Sequence, residues 1–168
     1  MSKYLFILLS GIVFYAQSEE IKNMVEFFSY RCSHCANINN KLDSYINKNH
    51  VNFIAINVDN NDIAMPTNIM YNVAVDAGIG QQFKSTYFSV VATGMPAYAP
   101  ATLSYVINQV RTPLFEKLLK DPNEKQLIKQ KLNYATQLLA KYPVQATPTF
   151  LINDNALVQG EDFVNYLN

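Results

Sequence analysis

Apolar residues recur along the chain at two periods, and the change of period marks the elements. Met24 to Tyr30 is β-branched and aromatic with one charge, Glu26, which predicts a strand covered on both faces. The strand stops at Arg31, and Cys32-Ser33-His34-Cys35 opens the next element. From Ala36 the apolar residues fall at Ile38, Leu42, Tyr45 and Ile46, the spacing of a helix that should end near Asn47–Asn49. Val51 to Val58 alternates as a second strand, stopped by Asp59-Asn60-Asn61. Strand, helix and strand with short links make a βαβ unit, whose crossover is expected to be right-handed.

From about Asp62 to Tyr142 the period is helical throughout. Apolar runs cover Ile69 to Ile79, Phe83 to Val91, Leu103 to Val110 and Leu114 to Leu119. A longer one, Glu124 to Tyr142, carries Leu127, Ile128, Leu132, Leu138 and Leu139 on its predicted apolar side. Pro66, Gly94, Pro96, Pro100, Pro113 and Pro122 punctuate the stretch where helices would start or stop. Strand character returns at Thr149 to Ile152, then a turn at Asn153-Asp154-Asn155 and a second strand from Ala156 to Val158, which predicts a hairpin. Gly160 and Glu161-Asp162 precede a short closing helix, Phe163 to Leu167.

Composition narrows the class. A chain of 168 residues accommodates one domain with a buried core. It is 49% hydrophobic and 15% charged, which argues against bulk disorder. Its 13 basic and 13 acidic side chains leave no net charge, against the electropositive footprint of a nucleic-acid binder. The lysines at 117, 120, 125, 129 and 131 are interleaved with apolar residues, the pattern of a solvated helix face rather than of a site for an acidic partner.

Residues 1–18 read as a secretory signal peptide. Met1-Ser2-Lys3 is a short basic start, Tyr4 to Ala16 is largely apolar, and Ala16-Gln17-Ser18 places small residues before a cut at Glu19. The alternative is an uncleaved membrane anchor, although the apolar run is shorter than the ~20 residues that usually span a bilayer. Export places the chain in an oxidising compartment where disulfides persist.

The two cysteines are Cys32 and Cys35. A bridge between them closes so small a ring that it adds little by restricting the unfolded chain, which points to chemistry rather than stapling. At a helix N-terminus, unpaired N–H groups and the helix dipole favour a thiolate at Cys32, the form that attacks disulfides. Cys35, one turn further on, is placed to resolve a mixed disulfide formed at Cys32. His34 and Arg31 can add positive charge or a hydrogen bond. A zinc site would need further ligands, and the other histidine, His50, lies beyond the helix. Haem attachment would need a histidine where the chain has Ala36. A plain pair of buried cysteines is the remaining alternative. Thr147-Pro148 directly precedes the later strand, and X-Pro bonds are those that adopt the cis form at modest cost, trans being the ordinary choice there.

The segment Glu26-Phe27-Phe28-Ser29-Tyr30-Arg31-Cys32-Ser33-His34-Cys35 closely resembles the active-site segment of the DsbA family of periplasmic thiol:disulfide oxidoreductases. The similarity continues in order through nearly all of residues 19–168. It implies an α/β, thioredoxin-like fold with an all-helical subdomain inserted at about 62–142. It also implies a redox disulfide, Cys32–Cys35, with Cys32 as nucleophile, Cys35 as resolving thiol and His34 stabilising the thiolate. Thr147 and a cis Pro148 would form the substrate-binding loop. Glu26 resembles the family's buried acid beneath the second cysteine, assisting proton transfer; a salt-bridged strand glutamate is the other reading.

No metal and no bound organic cofactor are implied. The implied partners are unfolded or partly folded exported proteins with cysteines, and a DsbB-like membrane quinone reductase that reoxidises a monomeric enzyme; no nucleic acid is implied. Three departures stand out: Ser33-His34 in place of Pro-His, Thr147 in place of valine, and a trimmed fold that lacks the amino-terminal edge strand and has a short closing helix. The expected function is a periplasmic dithiol oxidase. The alternatives are an isomerase or reductase, favoured by Thr147 but short of the dimerisation segment isomerases carry before Met24, and a chaperone-like module with an idle dithiol.

Overall fold

The structure is a computed structural model and describes residues 20–59, 62–160 and 163. Strand β1 (Asn23–Phe28), helix α1 (Ser33–Asn49) and strand β2 (Asn52–Asn57) form the βαβ unit. A β-hairpin of β3 (Thr149–Ile152) and β4 (Ala156–Gln159) completes a four-stranded sheet of order β2-β1-β3-β4. β1 runs parallel to β2, with Glu26 opposite Ala55, and antiparallel to β3, with Glu26 opposite Phe150. Its interior place explains its composition: Met24, Val25, Glu26, Phe27 and Phe28 are all buried. The signal peptide expected at 1–18 lies outside the described residues, as does the closing helix apart from Phe163, which is buried and stacked on Phe150 at 4.0 Å. Among the described residues β2 has a neighbouring strand on one side only.

Each face of the sheet is covered by a different helix. Ile38, Leu42 and Ile46 of α1 pack with Met24, Phe150 and Ile152 on one face. On the other, Ala135 and Leu138 of α6 (Pro122–Lys141) pack with Val25, Phe27, Ile56 and Leu151. Between β2 and β3 come α2 (Pro66–Asp76), α3 (Gly80–Ala92), α4 (Pro100–Val110) and α5 (Pro113–Lys120), followed by α6. Four of these five helices begin on a proline, whose fixed φ and missing N–H suit the first helical position. The fifth, α3, begins at Gly80, where a Cβ would lie 2.6 Å from Val75 Cγ2, so only glycine lets α2 and α3 approach this closely.

Two expectations are corrected. β1 ends at Phe28 rather than Tyr30, because Ser29 starts a turn: its carbonyl accepts the Cys32 N–H (3.1 Å) and its Oγ the Arg31 N–H (3.0 Å). Tyr30 is nevertheless buried, stacked on Tyr87 at 4.0 Å. On α6 the buried stripe runs through Glu124, Ile128, Ala135 and Leu138, and Leu127 is 42% exposed, being turned about 100° from Ile128. Among the described residues no helix is long and apolar enough to cross a membrane.

Candidate active site

The end of β1 and the start of α1 place Cys32 at the helix N-cap, in an extended conformation (φ −89°, ψ 110°). Its Sγ accepts the backbone N–H of Cys35 at 3.2 Å, in the way a serine or aspartate caps a helix. Both cysteines are free thiols in this structure; Cys32 is half-buried and Cys35 fully buried. Because β3 lies beside β1, the loop entering β3 arrives against the dithiol. The Thr147–Pro148 peptide is cis, and the Thr147 carbonyl accepts the Cys32 S–H at 3.2 Å. That loop is pinned from both sides, by Thr149 Oγ1 donating to the Ala146 carbonyl (2.7 Å) and the Gly160 N–H to the Pro148 carbonyl (2.8 Å). His34 is exposed on the first turn of α1, and His50 ends the same helix in the left-handed region (φ 51°), away from the dithiol by the helix's length.

Beneath the sulfurs the interior is charged. Glu26 is fully buried on β1 and forms an ion pair with Lys84 of α3, itself 1% exposed. One carboxylate oxygen of Glu26 meets Lys84 and the other, Oε1, has no hydrogen-bond partner. The Lys84 ammonium also lies over the rings of Phe28 (4.7 Å), Phe53 (5.7 Å) and Phe88 (5.9 Å), whose electron-rich faces help hold a cation out of water. Glu26 is thus a salt-bridged strand glutamate, and its charge is also felt at Cys35. Burial pushes the Cys35 thiol well above its ordinary range, and the neighbouring Cys32 and Glu26 push in the same direction, although a bond with Ser29 opposes them. On the same stripe of α1, burial lifts the Asp43 carboxyl to about 6, with Lys84 opposing and Glu26 adding to the rise.

Sequence reasoning missed Lys84. Its signal is positional: it shares a helix face with Phe83, Tyr87 and Phe88, all buried, where a lysine has no solvent to reach. Arg31 has partners the sequence did not show: its guanidinium meets Asp59 at 2.9 Å and lies 5.4 Å from the Tyr98 ring centroid. Among the described residues no group of three or more His, Cys, Asp or Glu side chains could hold a metal ion.

The thioredoxin family model matches residues 17–166. No curated protein matches the chain. Among solved structures it is similar to the oxidoreductase DsbA from Xylella fastidiosa, with 22% identity and a TM-score of 0.65 over 89% of this chain and 82% of that one. It is also similar to the DsbA disulfide interchange protein from Klebsiella pneumoniae (23% identity, TM-score 0.57, 90% and 85% covered). A third is reduced DsbA1 from Neisseria meningitidis (19% identity, TM-score 0.63, 90% and 82% covered). At these identities the solved structures establish a common fold, while the family model spans nearly the whole chain: the chain belongs to the thioredoxin family and has the fold seen in the DsbA proteins.

Proposed function

We propose that the protein is a thiol:disulfide oxidoreductase working as a dithiol oxidase on exported proteins. The observation that carries this reading is the setting of Cys32, whose sulfur caps α1, accepts the Cys35 N–H and lies against the cis-proline loop. In the oxidised enzyme a client thiolate attacks Cys32 Sγ; the Cys32–Cys35 bond breaks, and its electron pair and a proton end on Cys35. Burial favours that protonated, departed Cys35. A second client thiolate then attacks the client sulfur of the mixed disulfide and expels Cys32 as thiolate, leaving the client oxidised and the enzyme reduced.

Groups that stabilise the expelled thiolate favour the reduced enzyme and so make it oxidising: the Cys35 N–H, the α1 dipole and, in this reading, His34. Glu26 is the proton carrier for Cys35 in the reverse direction, when Cys35 attacks the mixed disulfide and must lose its proton. Thr147 and Pro148 line the client's path. Residues 1–18 direct export to the periplasm, and a DsbB-like membrane quinone reductase restores the disulfide.

Thr147 keeps an isomerase or reductase in view, since threonine is familiar there in disulfide isomerases; in this structure it is the Thr147 backbone carbonyl that meets the sulfur. The deciding experiment is a redox titration against glutathione with Cys32→Ser as control, together with capture of clients on Cys35→Ala. An oxidising equilibrium and trapped mixed disulfides at Cys32 are expected. A low, thioredoxin-like potential would overturn the oxidase direction, and normal cellular function of the doubly substituted Cys32→Ser/Cys35→Ser protein would overturn the redox reading.

A further inference from the structure

Beside the dithiol lies a polar cluster that the chemistry above does not use, and Asp59, just past β2, is its hub. Its carboxylate accepts hydrogen bonds from Ser29 Oγ and Tyr98 OH, and from Arg31 Nη2 (2.9 Å) and Nε (3.3 Å). The same groups hold the backbone that leads into the nucleophile. The Tyr30 N–H donates to Tyr98 OH (3.3 Å), the Arg31 N–H to Ser29 Oγ (3.0 Å) and the Cys32 N–H to the Ser29 carbonyl (3.1 Å). Asn57 braces the hub, its Oδ1 accepting the Asp59 N–H (3.0 Å) and its Nδ2 donating to Tyr98 OH (3.3 Å). Tyr98 comes from the link between α3 and α4, so the approach to Cys32 is tied to the helical layer as well as to the sheet.

The cluster also decides where a charge sits. Arg31 adjoins Cys32 in the chain, and a cation there favours the thiolate, stabilises the reduced dithiol and so makes the pair more oxidising. Asp59, its side chain 10% exposed against 56% for Arg31, draws that cation to itself and sets a negative charge beside it. We propose that Asp59 is a positioning residue of the dithiol: it holds the Ser29–Cys32 backbone through Ser29 and Tyr98 and offsets Arg31, and so sets how oxidising the Cys32–Cys35 pair is. The inference rests on the redox reading of that pair.

The test equilibrates the protein with mixtures of reduced and oxidised glutathione and compares wild type, Asp59→Asn, Arg31→Gln and the double variant. Asp59→Asn keeps the size and an acceptor oxygen but removes the charge, so the equilibrium should move toward the reduced dithiol by roughly 3- to 10-fold. Arg31→Gln should move it the opposite way, and the double variant should return close to wild type, because the two opposite charges act on the dithiol in opposite senses and their removal together nearly cancels. A purely structural role would alter stability without producing opposite signs. A wild type that equilibrates normally while both single variants stay within about twofold of it, a change smaller than one close charge should produce, overturns the inference. Single variants that move in the same direction overturn it too. A wild type that does not equilibrate with glutathione at all overturns the redox reading, and this inference with it.

Discussion

Lys84 carries the heaviest consequence of any single side chain outside the dithiol. A buried ammonium is tolerable here because it meets the Glu26 carboxylate and three aromatic faces at once. Removing it leaves Glu26 buried and uncompensated, with Oε1 already lacking a partner. Lys84→Met should therefore lower the unfolding free energy by about 3–5 kcal/mol, the usual result of breaking a buried pair from one side. Adding Glu26→Gln, which removes the orphaned charge, should restore a large part of that loss. Chemical denaturation of the two variants checks this, and a Lys84→Met loss no larger than an exposed pair's, about 1 kcal/mol, would show that the pair is not what neutralises Glu26. Glu26 is best probed in the Lys84-containing protein by the release rate of a client trapped at Cys32: Glu26→Gln should slow release by Cys35 and leave capture unchanged.

Between elements, the α2–α6 contact is the one that should respond to pH. Glu124 of α6 is 7% exposed and shares a carboxyl contact with Asp76, to which Lys131 also donates. Burial first, then the hydrogen bond with Asp76, lifts the Glu124 carboxyl from its ordinary 4.5 to about 7; Asp76 and Asp121 add repulsion, and Lys131 opposes. A folded-state value above the unfolded one means that the folded protein holds the extra proton between those limits. This group's contribution is therefore fully present below about 4.5 and is lost as pH rises through about 7. Asp43 acts with the same sign over a lower window, from 3.8 to about 6. Glu124→Gln should flatten the upper part of the pH–stability curve, so that the variant gains on wild type between pH 5 and pH 8. Urea midpoints measured across that range decide the matter, and parallel curves for the two proteins would refute it.

At the scale of the molecule, among the described residues the helical layer shares its core with the sheet rather than having one of its own. Phe28, Tyr30, Cys35 and Ala55 from the βαβ unit share one buried cluster with Tyr71, Phe83, Tyr87, Phe88, Val106, Phe115 and Ile128. Tyr87 extends the same tie by stacking on Tyr30 and donating to the Ala97 carbonyl at 2.5 Å. A core common to both layers predicts one cooperative unfolding transition, with helix content and tyrosine environment lost together. Far- and near-ultraviolet circular dichroism should give coincident denaturation curves. Loss of helix signal ahead of the tyrosine signal would mean that the inserted helices unfold as a separate unit.

Much of this was legible in the chain because it depends on neighbours in sequence. The five inserted helices follow from a local period and from Pro66, Pro100, Pro113 and Pro122, each of which begins a helix because, within a helix, its ring suits the first turn and not the interior. The spacing of Cys32 and Cys35 places one sulfur at the helix N-cap and the other a turn later for the same reason. Even the burial of Glu26 could be expected from its place in an apolar strand. What the chain could not show is who meets whom across long separations. Thr147 reaches Cys32, and Lys84 reaches Glu26, only because β3 lies beside β1 and α3 packs under the same face. Arg31 stands beside Cys32 in sequence, but its pairing with Asp59, from just past β2, is set by the fold. Local periodicity decides elements; the charges and contacts that tune a dithiol depend on which elements become neighbours, and tertiary packing alone decides that.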